Sequence, residues 1–177
     1  MITPTRLITS ARVLFDITRT LTTEAGLYAY ETSNHARSGA ECRHNLIYWQ
    51  AQNWLGIGPG AYGRFFKNGV RTETRSRRDP HAWLDDVTSQ HHGIDILSED
   101  SNLDYAHEAL MMGLRLTCGV DISAIEAIAG PSDQWIKHDM LDMLIDKGLL
   151  KRDGAQIALT EQGSPLLNTI LNEILIS

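Results

Sequence analysis

From Ala106 to Ile174, apolar residues recur at helical spacing in four segments, interrupted once by two short runs around Asp153-Gly154. Ala106, Leu110, Gly113 and Leu114 share one helical face ending near Gly119, and Ser101 with Asp104 suits a capping box at its start. Ile122, Ile125 and Ile128 predict a second helix, started by Asp121 and stopped by Gly130-Pro131. Ile136, Met140, Met143 and Leu144 predict a third, closed by Gly148. Leu149 to Arg152 and Ala155 to Leu159 then read as strands about a two-residue turn, and Leu166, Leu167, Ile170, Leu171 and Ile174 as a last helix.

Helices followed by a small hairpin resemble a winged helix, a frame that often reads DNA. Charge argues against that use here. From Pro131 onward there are seven acids and four bases, and the whole chain of 177 residues carries a formal charge of −6. Such a surface repels phosphate, so a structural cap or protein-contact module is expected and nucleic acid is not. Four tryptophans and a mixed-charge composition exclude disorder, and the length suffices for one domain or two small ones. The first ten residues lack the apolar core of a signal peptide, and no apolar run is long enough to cross a membrane. Two cysteines, Cys42 and Cys118, form neither a disulfide framework nor a thiolate zinc site, so a reducing, cytoplasmic setting is expected.

The N-terminal part is less regular. Leu14, Ile17 and Leu21 predict a core helix with one buried stripe between about Ser10 and Ala25, closed by Gly26. Leu27 to Thr32 reads as a strand and Ser33 to Gly39 as a turn-rich loop. Asn68-Gly69 predicts a tight turn between strands at Arg64-Phe65-Phe66 and Val70 to Thr74. Asp79-Pro80 precedes a short helix with Trp83, Leu84 and Val87, and the polar stretch Leu97 to Asn102 is the natural boundary between two domains, 1–97 and 98–177.

Three groups of residues could carry chemistry. Gly58, Gly60 and Gly63 spell G-x-G-x-x-G, but the pattern runs into a strand and turn where a dinucleotide loop would open a helix. These glycines allow either close packing inside a sheet or approach of the backbone to a ligand. Cys42-Arg43-His44-Asn45-Leu46-Ile47-Tyr48-Trp49 gathers a thiol, an imidazole and two large aromatics. Such a set suits either a hydrogen-bonded histidine beside an aromatic core cluster or an imidazole ligand to haem iron with rings covering the porphyrin face. A zinc reading lacks two further ligands. His35, His91 and His92 read as exposed loop histidines. The basic run Arg64, Lys67, Arg71, Arg75, Arg77 and Arg78 reads as a solvated hairpin face, or as partners for carboxylates such as porphyrin propionates.

Four ordered segments carry a family resemblance: Tyr30-Glu31-Thr32-Ser33-Asn34-His35-Ala36-Arg37, His44-Asn45-Leu46-Ile47-Tyr48-Trp49, Leu55 to Gly63, and Leu110-Met111-Met112-Gly113-Leu114-Arg115-Leu116. From about Leu21 the chain resembles the C-terminal half of radical S-adenosylmethionine proteins of the oxygen-independent coproporphyrinogen III oxidase-like group, the HemW-type haem chaperones. The His-Asn-x-x-Tyr-Trp element separates the chaperone-like branch from the true oxidase.

The resemblance implies an α+β chain in which a segment of partial β/α barrel is followed by a mostly helical, winged-helix-like domain. It implies haem binding with His44 as the iron-contacting residue and Asn45, Tyr48 and Trp49 as its motif partners. Gly58, Gly60 and Tyr62 would lie near the S-adenosylmethionine pocket. The family's [4Fe–4S] cluster needs three cysteines in C-x-x-x-C-x-x-C, whereas Cys42 and Cys118 stand 76 positions apart. The expectation is therefore binding and transfer of haem or another tetrapyrrole, with no oxidase activity from this chain alone. The alternative is a non-catalytic interaction module, or half of a split enzyme whose partner supplies the cluster-bearing part; a haem-accepting protein is a further expected partner.

Overall fold

The computed structural model describes residues 4–176. The reading of the first ten residues as lacking a signal peptide reaches into residues 1–3, outside that range. The fold is mixed α/β, with two antiparallel three-stranded sheets and a two-stranded one.

Helix α1 (Pro4–Glu24) ends where Gly26 takes a positive φ. It is longer than expected and is not a core helix: Val13, Leu14, Ile17 and Leu21 are all exposed, Leu14 at 64% and Leu21 at 60%. The periodicity was sufficient to form the helix but says nothing about what covers its face. After it come the two-residue strands β1 (Tyr28–Ala29) and β2 (His35–Ala36), which pair antiparallel. His35 thus lies in a strand, half-buried, and is not an exposed loop residue. Helix α2 (Arg43–Trp49) carries the His-Asn-x-x-Tyr-Trp element.

The expected hairpin is present as β3 (Tyr62–Lys67) and β4 (Val70–Ser76), turning at Asn68-Gly69, where both residues have positive φ. Helix α3 (Pro80–Gln90) starts at Asp79, whose side chain accepts the Ala82 N–H at 2.8 Å. A strand that periodicity did not suggest, β5 (Ile94–Glu99), then pairs with β4. Strand therefore occupies the first half of the stretch proposed as an interdomain boundary. Its residues are all exposed, so it lacks the buried alternation that marks a strand in sequence.

The core lies beyond residue 100. Helix α4 (Asn102–Gly113) opens on the expected capping box between Ser101 and Asp104, and buries Ala106, Leu110 and Gly113 with Leu114 just beyond. A short strand β6 (Val120–Asp121) leads into α5 (Ile122–Ala129), where Ile122 and Ile125 are buried. A methyl group at Gly113 would lie 2.5 Å from Val120 Cβ, so glycine lets β6 run close against α4. Helix α6 (His138–Asp146) buries Leu141 and Leu144, whereas Met143, expected in the core, is exposed. Ile136 is buried before the helix begins, bridged to Leu175, and Met140 packs partly buried against the core, so the expected stripe departs only at Met143, with Leu141 buried instead.

Strands β7 (Leu150–Asp153) and β8 (Gln156–Leu159) form the second hairpin, and β6 joins it in the order β6-β8-β7. Helix α7 (Leu167–Ile174) closes the core with Leu167, Ile170, Leu171 and Ile174, while Leu166 sits in the preceding 3-10 turn and is exposed. The tail is pinned through Lys137 N–H to the Ile174 carbonyl at 2.8 Å, and the buried Trp135 donates its indole N–H to the Gly130 carbonyl at 3.1 Å.

Candidate functional site

Helix α2 is only seven residues long, so its side chains owe their positions mainly to packing at its two ends. His44 and Tyr48, one turn apart, face each other: the Tyr48 hydroxyl lies 3.1 Å from His44 Nε2 and the rings meet edge to face at 4.7 Å. Tyr48 in turn meets Trp54 edge to face at 4.7 Å. His44 is exposed, so it is hydrogen-bonded without being a core histidine. Asn45 donates to the Tyr30 hydroxyl at 3.2 Å, tying α2 to the Tyr30-Glu31 segment. Trp49 lies against the Arg115 guanidinium, whose carbon is 4.6 Å from the ring centroid.

Tyr30 to Thr32 is stitched to the end of α4. Thr117 N–H donates to the Tyr30 carbonyl at 3.1 Å, Thr32 Oγ1 donates to the Arg115 carbonyl at 3.2 Å, and Glu31 bridges Leu116. Glu31 is wholly buried; one carboxylate oxygen accepts from the Ser33 N–H and the Asn34 amide, and the other lies 3.9 Å from Arg115 Nε. Beside Trp49 is a mostly apolar cavity of about 270 Å3 reached by Ala51, Tyr105, Leu116 and Cys118. That is below the usual range of about 300–1,000 Å3 for pockets enclosing drug-sized ligands.

The glycine segment resolves into two roles. A methyl at Gly56 would lie 2.3 Å from the Tyr62 carbonyl oxygen, and one at Gly63 would lie 2.9 Å from the Gly56 nitrogen, so these two serve close backbone packing. Gly58 and Gly60 have φ of +103° and +70° and shape the turn. Tyr62 is exposed and carries the Arg75 guanidinium 4.5 Å above its ring.

The basic run is only in part a solvated face: Lys67 and Arg78 are exposed, while Arg64, Arg71, Arg75 and Arg77 engage carboxylates or rings. Arg71 is buried, donates to the Gln52 carbonyl at 3.3 Å and lies within 6 Å of the Trp54, Phe66 and Tyr105 ring centroids. Burial pulls its pKa below the usual arginine value, opposed first by Glu108. Arg64 meets Glu73 at 2.9 Å, Asp100 at 2.8 Å and Glu108 at 3.3 Å. Burial pushes the Glu108 carboxyl upward, with Arg64 and Arg71 opposing. Arg77 pairs with Asp86 at 2.5 Å. Sequence alone could not show this, because the carboxylates come from β4, α3, residue 100 and α4.

Residues 100–166 match the HemN C-terminal domain family. Those residues belong to it. Beyond the HemN C-terminal domain, the chain is homologous over 89% of its length to mouse "Radical S-adenosyl methionine domain-containing protein 1, mitochondrial", at 34% identity and covering 37% of that protein. It is 29% identical to heme chaperone HemW of Bacillus subtilis, covering 85% of this chain and 38% of the relative. With Escherichia coli heme chaperone HemW it shares 30% identity over 89% of the chain and 40% of the relative. The solved structure of Escherichia coli coproporphyrinogen III oxidase (HemN), described as a radical SAM enzyme, superposes with TM-score 0.63 at 16% identity, covering 89% of this chain and 39% of that one. The chain thus spans about two-fifths of the length of the relatives it matches.

The family-level cofactors, S-adenosylmethionine and an iron–sulfur cluster, divide differently on these residues. Three clustered thiolates are not available from Cys42 and Cys118, both free and exposed, so these residues do not fit the cluster. Among the described residues no group of three or more His, Cys, Asp or Glu could hold a metal ion, and no helix is long and apolar enough to cross a membrane.

Proposed function

We propose that this chain binds haem or a related tetrapyrrole on the exposed side of α2 and passes it on. The observation that carries the reading is His44: an exposed imidazole at the head of a helix whose next turn presents Tyr48 against Trp54. In the tautomer that donates Nε2–H to the Tyr48 oxygen, Nδ1 keeps the lone pair a metal requires. Tyr48 and Trp54 supply flat apolar surface, while Asn45 and Trp49 hold the helix in place. Relatives named heme chaperones support this reading. Titration of the chain with haem tests it: a Soret shift that disappears in His44→Ala is expected, and the same spectrum from both proteins would remove His44 as ligand.

The finer architecture belongs to the same proposal. Residues 1–97 form a partial barrel segment on which Gly58, Gly60 and Tyr62 border the S-adenosylmethionine pocket, and 98–177 form a winged-helix-like cap, with β7 and β8 as the wing. The setting is a reducing compartment such as the cytoplasm, and the downstream partner is a haem-accepting protein.

A second reading rests on the exposed stripe of α1 and the exposed strand β5. Both are surfaces onto which a cluster-bearing half would dock, giving a split arrangement or an interaction module without catalysis of its own. Anaerobic pull-down with a relative's N-terminal half tests this, and failure to retain it counts against docking.

A further inference from the structure

The segment bearing Glu31 and the helix bearing His44 meet at one side chain. Arg115 leaves the end of α4 with its Nε buried and no hydrogen-bond acceptor; the Glu31 carboxylate lies 3.9 Å away and the Trp49 indole packs at 4.6 Å. Glu31 has no exposed surface, and its second oxygen has no hydrogen-bond donor. A buried carboxylate demands a nearby cation, and the cation so placed presents a flat guanidinium to an indole. Carboxylate, guanidinium and indole therefore form a chain from the Tyr30–Thr32 segment to the last residue of α2. One turn earlier, the same face of α2 is tied to that segment by Asn45 and the Tyr30 hydroxyl at 3.2 Å.

We propose that Arg115 is a positioning residue for the haem-binding helix: held by the buried Glu31 carboxylate, it packs on Trp49 and sets the orientation of α2, and with it the direction in which His44 and Tyr48 face a tetrapyrrole. This rests on the reading of α2 as the tetrapyrrole site. Arg115 does not touch the ligand; it acts through Trp49. Lysine would keep the charge beside Glu31 and lose the planar stack, whereas methionine would keep bulk on the indole and lose the charge. The two elements of the device are thus separable.

The experiment uses the full chain and compares wild type, Arg115→Lys, Arg115→Met and Trp49→Phe by two readouts. The first needs no haem: the near-ultraviolet circular dichroism contributed by Trp49, taken as the difference from Trp49→Phe. It should be reduced in Arg115→Met and partly retained in Arg115→Lys. The second is haem titration, where Arg115→Met should bind about tenfold more weakly, with an altered Soret band, and Arg115→Lys should fall between. Far-ultraviolet spectra matching wild type show that each variant is folded. A wild-type Trp49 signal in Arg115→Met overturns the proposal whatever haem does, as does wild-type haem affinity in that variant. Absence of any Soret shift in wild type defeats the tetrapyrrole reading by itself, and the Trp49 signal then still decides whether Arg115 orients the helix.

Discussion

Arg64 Nη1 donates to Asp100 Oδ2 at 2.8 Å, joining the first hairpin to the residue just before the N-cap of α4. The same guanidinium meets Glu73 and Glu108, so one cation holds three carboxylates from three parts of the chain. Removing it leaves like charges facing each other in a largely buried place. Arg64→Met should destabilise the protein by about 2 kcal/mol, between the worth of an exposed ion pair and the cost of breaking a buried one. The deficit should be largest at neutral pH and shrink in acid, because protonation of Glu108, whose carboxyl burial already raises, relieves the repulsion. Urea unfolding of wild type and variant at pH 7 and pH 4 measures both effects.

The buried stripe of α6 gives a sharper test of packing. Leu141 is 1% exposed, while Met143, two residues on, is 36% exposed. Leu141→Ala should cost about 3 kcal/mol through lost burial and the cavity left behind. Met143→Ala should cost less than about 1 kcal/mol. Denaturation midpoints that ranked the two the other way would show that the helix is rotated relative to this structure.

The stripe of α6 also marks how far the sequence could be read. Spacing at 3.6 residues located α4 through α7, and Asn68-Gly69 and Asp153-Gly154 located both hairpins, because these signals are local. On α6 the expected stripe holds at Ile136, Met140 and Leu144 and departs only at Met143, where Leu141 faces the core instead; Ile136 itself is held before the helix by a bridge to Leu175, 39 residues on. The stripe of α1 was legible as a helix and misread as core, since periodicity reports an apolar face and not its covering. At the site, His44, Tyr48 and Trp49 stood out as an imidazole beside large aromatics, and the family resemblance joined them with Asn45 in one motif; the short helix that carries them was not foreseen, because seven residues hold too little periodicity. Glu31 lay inside a recognised motif, but its burial and its relation to Arg115 depend on residues 84 positions apart and carry no local signal.

Glu126 ties α5 to the 3-10 turn that follows it through an acid-sensitive bond. Its Oε1 accepts the Ser132 N–H at 2.8 Å, and bonding to Ser132 holds its carboxyl below the ordinary value of 4.5. A depressed folded-state pKa means that the contribution is complete above the unfolded value and is lost as the pH falls through the folded one. Glu126→Gln should therefore lose at most about 1 kcal/mol at pH 7 and show less acid sensitivity below pH ~4.5 than wild type. Thermal unfolding from pH 7 to pH 3 follows the difference.

The apolar stripe of α1 should affect solubility and leave folding stability nearly unchanged. Because Leu14, Ile17 and Leu21 are exposed, the triple change to Gln should alter unfolding free energy by no more than about 0.5 kcal/mol per site. It should reduce self-association in sedimentation experiments, since a contiguous apolar face favours association. A large loss of stability would place the stripe inside the fold.

The exposed imidazole one turn from Tyr48 is the centre of the functional account, and haem titration followed at the Soret band measures it directly. The account predicts a saturable shift for the wild-type chain that is abolished by His44→Ala and unaffected by His91→Ala, a histidine exposed at the end of α3. A wild-type spectrum identical to that of His44→Ala, or a shift lost only with His91, would contradict it.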